Sequence, residues 1–247
     1  MERLDFMARQ TRIVIPGQPL HIMHRGNNRQ DVFKKDDDYQ HFIEDLLASC
    51  ELSGCALHAY VLMPNHYHLL LTPPTGKALS DFMQTIGRRY VRYFNKEYQR
   101  SGTLWEGRYK SSLIDSDAHL LQCYRYIEEN PVRSNVVTAP KQHQWSSYHH
   151  NALGVTDPLI TEHDNYIQMA AAEDARKNAY SNLLKTPLEH EITSLITSSV
   201  EKGEVLGSDR FHQIIESIVG LKTKRGSHGG DRKSKHYKKK KSAILID

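Results

Sequence analysis

Apolar and polar residues alternate along the first 150 positions in a way that predicts strands and helices in a definite order. Short apolar stretches bounded by turn residues predict strands, and longer stretches with apolar residues every three to four positions predict helices. In chain order the elements are strand 20–25, helix 38–52, strand 56–63, strand 66–72, helix 79–100, strand 104–114 and helix 118–129. The first six follow the β-α-β-β-α-β order of an α+β, ferredoxin-like (RRM-like) fold, with an antiparallel sheet and helices over one face.

Two histidines stand two positions apart on the third predicted strand. Side chains at i and i+2 of a strand point to the same face, so His66 and His68 project together while Tyr67 faces the other side. A pair of neutral imidazoles on one rigid strand is half of a metal site. A structural role for the pair is the alternative when it is taken alone.

The last predicted helix of this region carries a second pair of polar side chains. Asp117 is expected to cap the helix, and Pro131 disfavours helical geometry at Asn130 and ends it there. One apolar arc makes Tyr124 the expected core tyrosine, and it consists of Leu120, Cys123, Tyr124 and Ile127. Tyr126 and Asn130 lie on the flank of this arc, four positions apart, where both can meet one ligand.

The histidine pair followed by Tyr126 and Asn130 in a Tyr-Ile-x-x-Asn-Pro-Val setting resembles a known family. The pattern is similar to that of the single-tyrosine HUH transposases of small bacterial insertion sequences and, more narrowly, of the REP-associated tyrosine transposases. The resemblance runs from about residue 12 to residue 150. Its other segments are His-Arg-Gly-Asn-Asn-Arg at 24–29, Leu-Trp-Glu-Gly-Arg-Tyr-Lys at 104–110 and Trp-Ser-Ser-Tyr at 145–148.

The resemblance implies a metal-dependent single-stranded DNA endonuclease and strand transferase. Tyr126 would be the nucleophile that forms a 5′-phosphotyrosine intermediate, and His66, His68 and Asn130 would hold Mg²⁺ or Mn²⁺. The substrate would be a single-stranded DNA hairpin, such as a repetitive extragenic palindrome, abbreviated REP. Relatives of this kind act as monomers or as homodimers, and both states stay open here.

Two parts of the implied site have alternatives. Relatives resemble this pattern with glutamine at the place of Asn130, so His58 and His24 compete with it as the third metal ligand. Tyrosine ionises near pH 10, so the nucleophile needs activation by the metal or by a cation. Arg125 and Lys110 are the candidates for that cation.

Basic residues on the second helix and beside it are candidate DNA contacts. Arg88, Arg92 and Lys96 recur every fourth position, which suits a row of successive phosphates, although a charged helix face is more often simply a solvated one. The remaining candidates lie in the 25–29 turn and in the strand after the helix: Arg25, Asn27, Arg29, Arg108 and Lys110.

Composition narrows the class of protein. The 247 residues are 38% hydrophobic, which suits one domain of ordinary size with a smaller addition. The three cysteines form no disulfide framework, and Cys50 and Cys55 are expected to be free thiols rather than half of a zinc site. Without a membrane-length apolar run or a signal-peptide core, we expect a cytoplasmic protein of the bacterial nucleoid.

The pattern changes after Gly154, so we divide the chain into a catalytic domain at 1–154, a helical extension at 155–221 and a tail at 222–247. Helices are predicted at 162–184, 189–201 and 209–221, with Ser208 as the last N-cap. We expect the extension to target DNA or to regulate the enzyme. The segment 222–241 sets ten Lys and Arg residues against Asp231 alone, which predicts a disordered tail that binds nucleic-acid backbone.

Two other classes of protein remain as alternatives. A catalytically inactive module on the same fold would bind single strands by aromatic stacking, and its binding would not depend on metal. A zinc-dependent hydrolase or a His-nucleophile nucleotide enzyme is the second alternative. Against it, the sequence shows no third histidine near the pair, no His-Glu-x-x-His helix and no glycine-rich phosphate loop.

Overall fold

Four antiparallel strands form one sheet in the computed structural model, which describes residues 12–224. They are β1 (Leu20–Arg25), β2 (Ala56–Met63), β3 (His66–Thr72) and β4 (Lys110–Leu113). Their order across the sheet is β2-β3-β1-β4. This is the ferredoxin-like arrangement that the order of elements predicts, in which the first and third strands are central.

Three of the four strands have the bounds predicted from sequence, but the fourth is shorter than predicted. The prediction of a strand over 104–114 is wrong for its first half, because only 110–113 pair with β1. Trp105 makes a single bridge to Gly26, and the chain then turns at Gly107, where φ is +62°. A left-handed backbone position of this kind breaks a strand and favours glycine.

Two helices cover one face of the sheet, as predicted: α1 (Asp36–Ser53) and α2 (Gly76–Glu97). Their apolar sides pack on the strand residues that point toward them, and Phe42, for example, lies 4.9 Å from Tyr67 between ring centroids. Buried Asp38 accepts hydrogen bonds from the backbone N–H groups just before α1 and from two tyrosine hydroxyls of the α2 region. These contacts tie the two helices together.

The opposite face carries α3 (Ser116–Glu128), followed by the short α4 (Asn130–Arg133). The predicted apolar arc of α3 is fully buried, and Tyr124 is a core residue, as expected. The predicted cap is wrong: Asp115 occupies the N-cap position instead of Asp117. Pro131 lies in the first turn of α4, where its missing N–H leaves no hydrogen bond unmade.

Five further helices complete the described part: α5 (Tyr148–Asn151), α6 (Asp164–Ile167), α7 (Glu173–Leu183), α8 (His190–Lys202) and α9 (Asp209–Val219). The prediction of one helix over 162–184 is wrong, because α6 and α7 are separate. The rings of Tyr166 and Tyr180 lie 5.5 Å apart, beside Tyr124. Fourteen positions of continuous helix would separate them by about 21 Å.

The last two helices are close to their predicted bounds, and Ser208 caps α9 by accepting the backbone N–H of Phe211. Between them the chain passes beside β4, where Leu206 forms a parallel bridge with Ile114. Within residues 12–224, no helix combines the length and apolarity that crossing a bilayer requires. The predicted basic tail lies outside the described residues, except for 222–224.

Candidate active site

The two histidines of β3 project together, as predicted. Their ring centroids lie 5.1 Å apart with the rings almost perpendicular. Tyr67 between them points to the other face, into the core beneath α1 and α2. His66 and His68 therefore stand on the face of the sheet that α3 covers.

α3 and α4 place the second predicted pair of side chains over these imidazoles. The ring of Tyr126 lies 5.8 Å from that of His68, and Asn130 Nδ2 lies 3.5 Å from His68 Nε2. Ser134 donates a hydrogen bond to Asn130 Oδ1 at 3.3 Å. Because a hydroxyl can donate or accept, Ser134 can partner the amide in either orientation, including the one that directs the oxygen toward the imidazoles.

Burial keeps the imidazoles of this site neutral. It lowers the pKa of His66 to about 4, with a smaller opposing contribution from Asn130. It also lowers the pKa of His68 well below the ordinary value, and the neighbouring His21 and His66 add to this effect. A neutral imidazole is the form that binds a metal, so these side chains and the Asn130 oxygen suit a divalent cation.

Neither competing histidine lies in the site. His24 contacts the Tyr67 hydroxyl and the Gly107 carbonyl, whereas the two ring nitrogens of His58 contact Thr161 and Thr72. Within residues 12–224, no group of three His, Cys, Asp or Glu side chains is placed to hold a metal ion. Of the three candidates for the third ligand, Asn130 is the one that lies beside the histidine pair.

His21 belongs to the site, although the sequence reasoning missed it. It lies on β1, and its Nε2 is 2.8 Å from His68 Nδ1. Its ring also contacts the Tyr126 ring edge-on, with 5.6 Å between centroids. Burial, aided by nearby Arg133, lowers the pKa of His21 to about 3. The alternation of side chains along β1 determines which face of the sheet His21 points to. Only the pairing of β1 with β3 brings His21 next to His68.

Arg133 contacts the ring of the candidate nucleophile, and the sequence reasoning missed this residue too. Its guanidinium lies over the Tyr126 ring, 4.2 Å from the centroid, and donates to the Tyr126 carbonyl. Arg125, expected to help, instead pairs with Glu129 and donates to the carbonyl of Thr186. No sequence signal pointed to Arg133, because the predicted helix ends at Asn130, whereas in the structure α4 carries the chain on to Arg133.

A helix of the C-terminal extension covers the site. The hydroxyls of Tyr126 and Thr197, on α8, lie 3.1 Å apart. Val200 and Glu201 of the same helix line the cavity that holds Tyr126 and the histidine pair, and its volume is about 170 Å³. This is below the roughly 300 Å³ at which pockets for whole small molecules begin, so the cavity does not enclose a nucleotide.

The predicted DNA contacts fall into separate places. Arg25, Arg108 and Lys110 share a small cavity beside the site. Arg25 also lines the cavity of Tyr126 itself and forms an ion pair with Glu106 at 2.6 Å. The remaining five lie elsewhere. Asn27 and Arg29 are in a 3₁₀ turn at the end of β1, and Arg88, Arg92 and Lys96 are on the exposed side of α2, across the sheet from Tyr126.

The sequence and the fold of this chain are similar to those of known transposases. Residues 16–130 match the family model described as "Transposase IS200 like". A protein of Haemophilus influenzae, named as a REP-associated tyrosine transposase, is 30% identical over 112 residues, or 41% of this chain and 63% of that relative. A solved REP-associated tyrosine transposase, described as bound to a REP hairpin, has a similar fold, with a TM-score of 0.50 and 19% identity over 64% of this chain and 93% of the other.

Residues 16–130 of this chain are thus similar to the transposases of the IS200-like family. The relatives with which it shares sequence and fold include REP-associated tyrosine transposases, which confirms the narrower resemblance noted from the motifs. The alignment spans less than two thirds of the curated relative.

Proposed function

We propose that this protein is a metal-dependent single-stranded DNA endonuclease and strand transferase. The observation that carries the proposal is the meeting of Tyr126 with His66, His68 and Asn130 in one cavity. A nucleophilic hydroxyl and a neutral nitrogen and oxygen donor set are the two parts that tyrosine-based phosphoryl transfer needs.

The chemistry follows from these groups. The Tyr126 hydroxyl oxygen attacks a DNA phosphorus, the bond from phosphorus to the 3′ oxygen breaks, and the 5′-phosphate remains on Tyr126. The phenol proton leaves to water, and the departing 3′ oxygen takes one up. Attack by another 3′-OH reverses the step and joins strands. His66, His68 and Asn130 would hold Mg²⁺ or Mn²⁺, which would polarise the phosphate and stabilise the leaving oxygen.

The proposed substrate is a single-stranded DNA hairpin such as a REP sequence. The support is the similar solved structure, which is described as bound to a REP hairpin. Arg25, Arg108 and Lys110 lie beside the catalytic cavity and are proposed to hold the phosphates next to the cleaved one. An enzyme with this substrate would work in the bacterial cytoplasm, at the nucleoid.

The division at 154 and 155 remains part of the proposal, and the extension is assigned a regulatory role. Its support is the contact of Thr197 with the Tyr126 hydroxyl, because a nucleophile that donates to or accepts from α8 is not free to attack.

The inactive binding module is the second candidate on the same fold. Binding of single strands on an RRM-like sheet needs exposed aromatic side chains on one face. Here α1 and α2 cover one face, and α3 and the extension cover the other. The covered sheet favours the nuclease over the stacking module.

A covalent-capture assay tests the proposed function. Labelled single-stranded hairpins from the flanks of the encoding locus are incubated with the full chain in Mn²⁺ or in EDTA and run on a denaturing gel. We expect a Mn²⁺-dependent adduct in wild type and in Tyr124→Phe, a matched control two residues away in the core, and none in Tyr126→Phe. Tight hairpin binding without an adduct in wild type would favour the binding module.

A further inference from the structure

The contact between His21 and His68 has a chemical meaning that goes beyond packing. The two ring nitrogens that face each other lie 2.8 Å apart, and both rings are buried. Two neutral imidazoles at this distance share one proton between the facing nitrogens, since a hydrogen bond needs one donor and one acceptor. The position of that proton decides what the other nitrogen of each ring can do.

Only one of the two arrangements leaves His68 able to bind a metal. When His68 Nδ1–H donates to His21 Nε2, the Nε2 of His68 keeps a free lone pair on the side of Asn130. When His21 Nε2–H donates instead, His68 carries its proton on Nε2 and has no lone pair to offer there.

A polar residue is also an unusual choice for the position of His21. The ring is fully buried, and its Nδ1 has no hydrogen-bond partner among the described residues. Burial of a polar group with an unpaired nitrogen is unfavourable, and an apolar side chain of similar size would avoid it. Packing alone therefore does not account for a histidine here, whereas a role in orienting His68 does.

We propose that His21 is a positioning residue for the metal: it accepts the Nδ1 proton of His68 and thereby presents Nε2 of His68 to the cation. The inference rests on the proposed metal site. Partners of this kind set the tautomer and ring orientation of ligating histidines, and their loss weakens metal binding by roughly 10- to 100-fold.

Titration of the full-length protein with Mn²⁺, followed by the electron paramagnetic resonance signal of free Mn²⁺, tests the proposal. His21→Leu fills a similar volume without an acceptor, and we expect it to weaken Mn²⁺ binding by about 10- to 100-fold. His21→Gln keeps an acceptor, and its affinity should stay within a few-fold of wild type. Unchanged Mn²⁺ affinity in a folded His21→Leu would overturn the inference, as would equal losses in both variants.

A control and a second measurement separate this inference from the proposed function. If wild type binds Mn²⁺ no better than His66→Ala, the metal site itself is wrong. If wild type binds well and His21→Leu binds equally well, only the role of His21 fails. Should His21→Leu not fold, nitrogen-15 shifts of the histidine rings in wild type with Mg²⁺ decide: protonated Nδ1 and unprotonated Nε2 in His68 support the proposal, and the reverse overturns it.

Discussion

The hydroxyl of Tyr126 lies 3.1 Å from the hydroxyl of Thr197, a residue 71 positions later in the chain. The candidate nucleophile is therefore in contact with the segment that follows the residues matching the family model. Regulation through this contact is open to direct test.

Substitution of Thr197 by valine should increase the rate of adduct formation. Valine keeps the shape of threonine but cannot hydrogen bond with Tyr126, and a bond of this kind contributes about 0.5–1.5 kcal/mol. We therefore expect an increase of up to roughly tenfold in single-turnover adduct formation on a labelled hairpin. Ser194→Ala, on the exposed side of the same helix, is the control. An equal or slower rate in Thr197→Val would exclude a restraining role for the contact.

Arg133→Gln should slow adduct formation. The guanidinium over the Tyr126 ring favours the negative charge that develops as the phenol loses its proton, and its removal should reduce the rate by roughly tenfold or more. Arg125→Gln removes a cation one residue from Tyr126 that pairs with Glu129 instead, and it should leave the rate close to wild type.

The two groups of candidate DNA contacts should differ in their effects. Arg108→Gln with Lys110→Gln should weaken hairpin binding and slow cleavage, because these side chains lie beside the catalytic cavity. Substitution of Arg88, Arg92 and Lys96 should leave the cleavage rate of bound hairpin unchanged. If that row contacts phosphates, the slope of log affinity against log salt should fall by about 0.7 to 0.9 for each lost contact. Filter binding across a NaCl series measures the hairpin affinity and its salt slope. An unchanged slope would show that Arg88, Arg92 and Lys96 are only solvated.

Tyr180→Phe should destabilise the protein, and more so at alkaline pH. Tyr180 donates to Glu128, a buried carboxyl that also accepts from Ser147 and Asn151. Burial raises the pKa of Glu128 to about 7, so the carboxyl becomes ionised as pH rises through neutrality. A charged carboxylate that lacks one donor should lower the free energy of unfolding by about 1–3 kcal/mol. Urea unfolding at pH 6 and pH 8 measures the free energy of unfolding of wild type and variant. An equal loss of stability at both pH values would contradict a role for the ionised Glu128.

Stability should fall between pH 6.5 and pH 4 in the absence of metal. Burial lowers the pKa of His58 and of His66 to about 4. In that range the unfolded chain binds protons that the folded chain does not, so the free energy of unfolding decreases as pH falls. Each such histidine should contribute about 1–2 kcal/mol by pH 5. Urea unfolding in EDTA at several pH values across this range measures the effect. His58→Gln should make the free energy of unfolding less dependent on pH, and His190→Gln, at an exposed helix end, is the control. A wild-type free energy of unfolding that does not change with pH would contradict the prediction.

Local patterns were enough to determine most of the fold and half of the site. The three long strands have their predicted bounds, because strand periodicity and turn residues act over a few neighbouring positions. The common face of His66 and His68 follows from the same period of two. Tyr126 and Asn130 come together because four positions complete about one helical turn.

Only the tertiary structure decided the rest of the site. His21 reaches His68 because β1 pairs with β3, and Thr197 reaches Tyr126 because α8 packs across the sheet. Both contacts join residues far apart in the chain, and no local period encodes which strands pair or which helix covers a face. Asp115 is at the N-cap position of α3 in place of the predicted Asp117. Its carboxylate accepts hydrogen bonds from Ser208 at the start of α9, which is another contact between residues far apart in the chain.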